Sequence, residues 1–183
     1  MRFTAIILAL AACVNAFTIV FENKCSYTVW PAVGKAPEGV PDRSVAWGAR
    51  VDPGKSASFG VDDYALGIRA WGRTGCDANG ANCATGACVG GLVCTDAGLQ
   101  NNAIVSEYGY GDYGQWGGKR CSWNLSHVNL AINLNTKLSS SDGQSVLCRA
   151  GNCPVDQAFD VTDRYSAVRN SALGQTYTHT FCA

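Results

Sequence analysis

Charge is scarce in this chain. Only 15% of its 183 residues are Asp, Glu, Lys or Arg, and the two signs balance at 14 each, so no basic patch points to nucleic acid or an anionic membrane. Histidine is scarcer still, with only His127 and His179, and no Cys-x-x-Cys pair of the zinc-knuckle or thioredoxin-like kind occurs. Metal ions and other cofactors are therefore not expected. Ser126 and His127 are adjacent, and neighbours on a strand face opposite ways, which excludes a nucleophile and base there. No segment beyond the N-terminus has the roughly 20 apolar residues of a membrane span.

The one apolar run, Phe3 to Val14, follows Arg2 and leads to the small-residue exit Val14-Asn15-Ala16. It is too short to span a bilayer and has the plan of a secretory signal peptide, residues 1–16. The remainder, residues 17–183, has the size of one domain. A monomer that is secreted, to the extracellular space or the cell wall, is the expectation.

Cysteine and glycine are plentiful where charge is not. Arg69 to Cys94, RAWGRTGCDANGANCATGACVGGLVC, holds four cysteines and six glycines in 26 residues. Glycine loses more backbone entropy on folding than any other residue, so this segment needs an external restraint. Gaps of six, four and five residues between its cysteines fit disulfides better than metal ligation.

Around this segment run short β-like stretches. Phe17 to Val33 reads as two strands joined at Asn23-Lys24, with Pro31 ending the second or placing it at an edge. Gly34 to Asp42 is a loop. Further strands are expected at Ser44 to Val51, Ser56 to Val61, Leu66 to Gly72, Ile104 to Tyr110, Ser126 to Asn133 and Gln175 to Phe181. Asp52-Pro53-Gly54, Asp62-Asp63 and Ser141-Asp142-Gly143 are turns. Pro154 to Val168 reads as a short helix or turn, weakened by β-branched residues and Asp160. Trp30, Trp47 and Trp71 fall in strands and are candidates for the core. The fold class is all-β, a sandwich or flattened barrel with disulfide-rich loops and little helix.

The motifs FTIVFENKCSYTVWPAV, RAWGRTGC, CATGAC, GGLVC, SEYGYG and TYTHTFCA occur in the order found in thaumatin-like proteins, the PR-5 family. The chain resembles that family over most of its length, and in particular its small, shortened class, since little sequence separates Cys121 from Cys148. The resemblance implies the disulfides Cys25–Cys182, Cys76–Cys83 and Cys88–Cys94. The first would join the two ends of the chain, worth about 5 kcal/mol in the chain-entropy picture. Cys13 leaves with the signal peptide, so Cys121, Cys148 and Cys153 share one bond. Cys148–Cys153 is favoured, with Cys121 free or paired between molecules.

The resemblance also implies a cleft lined by one arginine, one glutamate and three aspartates, associated with β-1,3-glucan binding, antifungal activity and, in some members, weak endo-β-1,3-glucanase activity. Arg69 matches the arginine and Glu107 the glutamate. Asn124 and Asn129 stand where two of these aspartates are usual, and the third is Asp160 or Asp163; Ala87 replaces an aspartate of the loop signature. A glycosidase ordinarily needs two carboxyl groups. An amide hydrogen-bonds a sugar but does not titrate. With Glu107 as acid, the second carboxylate would have to come from Asp112, Asp160 or Asp163.

Two further features bear on that cleft. Asn124-Leu125-Ser126 is a glycosylation sequon, expected to be used if the Asn124 side chain is exposed. Tyr108, Tyr110, Tyr113 and Trp116 alternate with glycines, so they either stack on sugar rings or plug the core. Arg69 and Glu107 form either a functional or a structural pair. The expectation is a secreted, defence-related protein that binds a cell-wall polysaccharide of the β-1,3-glucan type. The alternatives are a weak endo-β-1,3-glucanase and a secreted interaction or effector protein without carbohydrate activity.

Overall fold

The computed structural model describes residues 16–95 and 98–183, so the expected signal peptide lies outside the described residues except for Ala16. Eleven strands are present among the described residues: β1 Ala16–Asn23, β2 Trp30–Lys35, β3 Asp42–Gly48, β4 Ser56–Asp62, β5 Ile68–Arg73, β6 Val105–Asp112, β7 Lys119–Ser126, β8 Thr136–Ser140, β9 Ser145–Cys148, β10 Arg169–Ala172 and β11 Thr176–Phe181. They form a five-stranded sheet, β4-β1-β11-β8-β9, and a six-stranded sheet, β10-β7-β6-β5-β2-β3. Among the described residues, helix is confined to three single 3-10 turns.

Alternation explains how the sheets face each other. Phe17, Ile19 and Phe21 of β1 are buried, and so are Tyr177, His179 and Phe181 of the parallel neighbour β11. From the opposite sheet Tyr108, Trp123 and Leu125 complete one aromatic core. Just beyond β1 and β11, Cys25 is bonded to Cys182, which ties the first and last strands together. Cys76–Cys83, Cys88–Cys94 and Cys148–Cys153 are also bonded, while Cys121 is a free, buried thiol.

Several local expectations need correction. Pro31 lies inside β2, an interior strand, opposite Gly72 of β5. Pairing with β3 begins only at Ala32, so the missing N–H falls at the end of that ladder. The strand expected over Ser126 to Asn133 is β7, Lys119–Ser126, and the chain turns directly after it. Pro154 to Val168 forms turns ending in a 3-10 turn at Tyr165–Ala167 rather than a helix. Strands β8, β9 and β10 are additional, and the Ser141-Asp142-Gly143 turn connects the first two.

The cysteine-rich loop folds over the outer face of the six-stranded sheet. Trp71 is fully buried beneath it with Ala32, Cys94, Ala103 and Val105, and its indole N–H donates to the Gly86 carbonyl at 2.8 Å. Arg73, two residues along on the same face, is also fully buried. Its Nε donates to the Trp30 carbonyl at 2.8 Å, Nη1 to those of Gly91 at 2.6 Å and Gly80 at 3.1 Å, and Nη2 to that of Leu92 at 2.7 Å. No carboxylate among the described residues pairs with it. Burial lowers its pKa to about 10, still well above neutrality.

Arg73→Lys replaces a five-donor fork by a single point charge and strands loop carbonyls without donors. It should lower stability by about 3 kcal/mol, seen as a reduced urea midpoint at unchanged slope. His179 is enclosed in the core, with Nε2 against Ser106 Oγ at 2.7 Å and Tyr108 OH at 3.1 Å, and burial lowers its pKa to about 3. The unfolded chain therefore binds this proton first as pH falls. Stability should decline from about pH 6.5 downward, by about 4 kcal/mol near pH 3. Carboxylates held ionised in the fold, such as Asp142, add their loss only below about pH 4. His179→Gln should thus flatten the pH 4 to 6.5 limb in denaturation series.

Candidate functional site

The outward residues of β6 are Val105, Glu107, Gly109 and Gly111, whereas Ser106, Tyr108 and Tyr110 face inward. In register, Glu107 lies between Arg69 of β5 and Asn124 of β7. Arg69 Nε donates to Glu107 Oε1 at 3.3 Å and Asn124 Nδ2 to Glu107 Oε2 at 3.2 Å. Arg69 and Glu107 of this row line a cleft of about 550 Å³, which Asn124 adjoins through its bond to Glu107. The walls are Leu99, Val105, Val128, Leu130 and Phe159, with the hydroxyls of Ser126 and Thr162 among them.

Both Arg69 and Glu107 side chains keep 35% exposure, so the ion pair contributes at most about 1 kcal/mol to stability. It orients the carboxylate without removing it from reach. Neither Nη of Arg69 has a hydrogen-bond or ion-pair partner among the described residues, which leaves donors facing the cleft.

The other candidate residues are dispersed. Tyr108 is in the core, 2% exposed, packed on Phe17 and Tyr177 with ring centroids at 5.3 and 5.0 Å, so the alternation of β6 removes it from the cleft. Tyr110 shares that inner face and packs on Tyr64 at 4.9 Å. Asn129 sits in the turn after β7 with φ of 57°, exposed and outside the cleft lining. Asp112 is five residues along β6 from Glu107, about 17 Å and on the opposite face. Its Oδ1 accepts the Gly114 N–H at 2.9 Å. Asp160 is paired with Arg164 at 2.8 Å, which lowers its pKa, and Asp163 is exposed beyond it. Phe159 and Thr162 of this segment reach the cleft, but neither aspartate does.

Glu107 is therefore the sole carboxylate among the described lining residues. The Asn124 amide, where a glycan would be attached, is half-buried and donates to Glu107 and to the Leu125 carbonyl, so the exposure on which its modification was expected is lacking. Cys148 and Cys153 come within 4.8 Å of His127, but both sulfurs belong to a disulfide, which removes the thiolates that a metal would need. Tyr113 and Trp116 lie apart from the cleft, beside a second cavity with Gly117, Arg120 and Asn170. Sequence reasoning overlooked the apolar walls, Arg120 and Asn170. Of the missed lining residues Ser126 alone has a signal in the sequence, since it stands two residues beyond Asn124 on the same face of β7.

The chain matches the model of the thaumatin family over residues 23–183. It is 33% identical over 173 residues to a thaumatin-like protein of Oryza sativa subsp. japonica, covering 92% of this chain and 86% of that one. It is 34% identical over 146 residues to thaumatin-like pathogenesis-related protein 4 of Avena sativa, covering 79% and 76%. Among solved structures it is similar to a thaumatin-like xylanase inhibitor, with a TM-score of 0.59 and 26% identity over 90% of this chain and 99% of that one.

Placing an acid at position 124 tests the geometry. Asn124→Asp would place two carboxylates about 3 Å apart, where like charges oppose one another and where no glycosidase spacing of about 5 to 9.5 Å exists. The variant should be about 1 kcal/mol less stable than the parent at pH 8, and it should gain no hydrolysis of a soluble β-1,3-glucan. Paired denaturation curves and a reducing-sugar assay check both.

Proposed function

The chain belongs to the thaumatin family, and from that premise we propose that it is a secreted, defence-related protein that binds a neutral cell-wall polysaccharide of the β-1,3-glucan type without cutting it. One observation carries the reading. Arg69 and Glu107 offer donors and acceptors between the apolar walls of the cleft, Asn124 braces Glu107 from the neighbouring strand, and the described lining includes no second carboxylate. Such a surface suits the two sides of a sugar, hydroxyls at the edge and C–H groups on the face. General acid catalysis with a second carboxylate has no partner there. Four disulfides, and the lack of a membrane-spanning helix among the described residues, support the secreted setting.

Gly109 adds support. It adjoins Glu107 on the outer row of β6, its φ is not positive, and a Cβ placed on it would meet only Leu66 Cδ2 at 3.9 Å. Neither backbone conformation nor packing requires a glycine here, and an interior glycine weakens a strand. A bare floor that admits a polymer accounts for it.

A second reading is favoured by the tip of the cysteine loop. Val89, Leu92 and Val93 are exposed there, braced by Cys88–Cys94 and by Arg73 beneath. A rigid apolar tip of this kind fits a contact with another protein, and the structural relative named above is an inhibitor of xylanase.

Sedimentation with insoluble β-1,3-glucan separates the readings. The parent protein should be retained, Gly109→Leu should weaken retention at least tenfold at unchanged thermal stability, and Glu107→Gln should weaken it less. Laminarin should yield no reducing sugar. Retention unaffected by Gly109→Leu would rule out this face, and sugar release abolished by Glu107→Gln would identify an enzyme. Absence of retention, with inhibition of a xylanase, would favour the loop tip.

A further inference from the structure

We propose that the cavity formed by Trp116, Arg120 and Asn170 is a separate subsite for a carboxylated sugar, a hexuronate unit of an acidic polysaccharide. The choice of a sugar as the carrier of the carboxylate rests on the carbohydrate reading above. The site itself does not.

The cavity, about 260 Å³, is lined by Tyr113, Trp116, Gly117, Arg120 and Asn170. Its construction is rigid. The Tyr113 N–H donates to the Gly118 carbonyl at 3.0 Å, the Trp116 N–H to that of Tyr113 at 3.1 Å, and Asp112 Oδ1 accepts the Gly114 N–H, so a 3-10 turn presents the indole at 87% exposure. Below it, the Tyr113 ring covers Gly111, where a Cβ would lie 2.9 Å from Cε2. Its hydroxyl is joined to Ser122 Oγ at 2.7 Å and to Asn170 Oδ1 at 3.2 Å. Ser122 Oγ donates to the same Asn170 oxygen at 2.6 Å.

These bonds leave donors pointing outward and few acceptors. Asn170 has its side-chain oxygen occupied and its Nδ2 without a partner among the described residues. Arg120 Nε is fixed on the Gly117 carbonyl at 2.9 Å, while neither Nη makes a hydrogen bond or ion pair among them. No carboxylate lines the cavity. A guanidinium anchored through Nε presents its remaining face to a carboxylate, and an amide N–H₂ beside it adds a further donor. The bare indole supplies the stacking surface that a pyranose ring prefers and that a simple inorganic anion would not use. On the strand grid the subsite lies four residues from Glu107, about 14 Å, with Gly109 between.

Titration calorimetry with a trimer of galacturonic acid, and with its methyl ester, tests the assignment. The acid should bind the parent protein, the ester at least tenfold more weakly. Trp116→Ala and Arg120→Gln should each weaken binding of the acid at least tenfold, with retention on β-1,3-glucan unchanged for Arg120→Gln. Gly109→Leu and the exposed-cation control Lys137→Gln should bind the acid as the parent does. Equal binding of acid and ester, no binding of either, or parent-like binding by Arg120→Gln would overturn the proposal. Loss of the acid in Lys137→Gln would show diffuse charge attraction, and loss in Gly109→Leu alone would place the ligand in the cleft, each overturning it as well. Because the glucan assay depends on Gly109 and this one on Arg120, either reading can fail without the other.

Discussion

The buried guanidinium of Arg73 is the constraint on which the outer face depends. A glycine-rich loop has carbonyls to satisfy and few side chains to pack, and the carbonyls of Gly80, Gly91 and Leu92 all converge on one cation. That cation is buried without a carboxylate because its whole fork is taken up by backbone oxygens, whose dipoles replace the counter-ion. Disulfides shorten the loop's excursions. The arginine decides where the shortened loop lies.

Its position creates the site by covering part of one strand face and leaving the rest. Arg69, Trp71 and Arg73 share the outer side of β5, yet Trp71 and Arg73 are sealed under the loop while Arg69 stays half-open at its margin. The same lid contributes Leu99 to the cleft wall. Glu107 and Asn124 then extend the row because antiparallel register places them opposite Arg69 and one another. With an arginine on one side and an amide on the other, the glutamate is held by donors and has no acidic neighbour in the row. Its two oxygens are thereby engaged by neighbouring donors, and no second carboxylate of the described lining stands across from it.

Much of this was legible in the residues. Short β-rich runs between Gly, Pro and Asp turns implied a two-sheet architecture, and Arg69 and Glu107 meet as opposed strand residues should. Family resemblance supplied the cysteine partners, which spacing alone left open. What failed was mostly a matter of parity and reach. Tyr108 adjoins Glu107 in the chain and for that reason faces away from it, so nearness in sequence placed it on the wrong side. Asp112 failed through distance along an extended strand, and Asp160 because Arg164 four residues later engages it. Arg73 could not be distinguished from Arg69 in RAWGR, since only the tertiary path of the loop determines which of the two is enclosed.

Gly109 and Gly111 show how two identical letters in one motif carry different physics. Both occur on the outer side of β6, two residues apart, and both look like spacers among tyrosines. Gly111 is there for packing, because any Cβ would strike the ring of Tyr113 and dislodge the hydroxyl that orients Ser122 and Asn170. Gly109 has no such neighbour, only open space and the distant edge of Leu66. A strand interior gains stability from nearly any β-branched residue in place of glycine. The first glycine is thus explained by the protein's own side chains, and the second is not. An unfilled position between a polar row and a donor-lined cavity, on a face otherwise well supplied with side chains, is best explained by something that arrives from solution and lies flat across it.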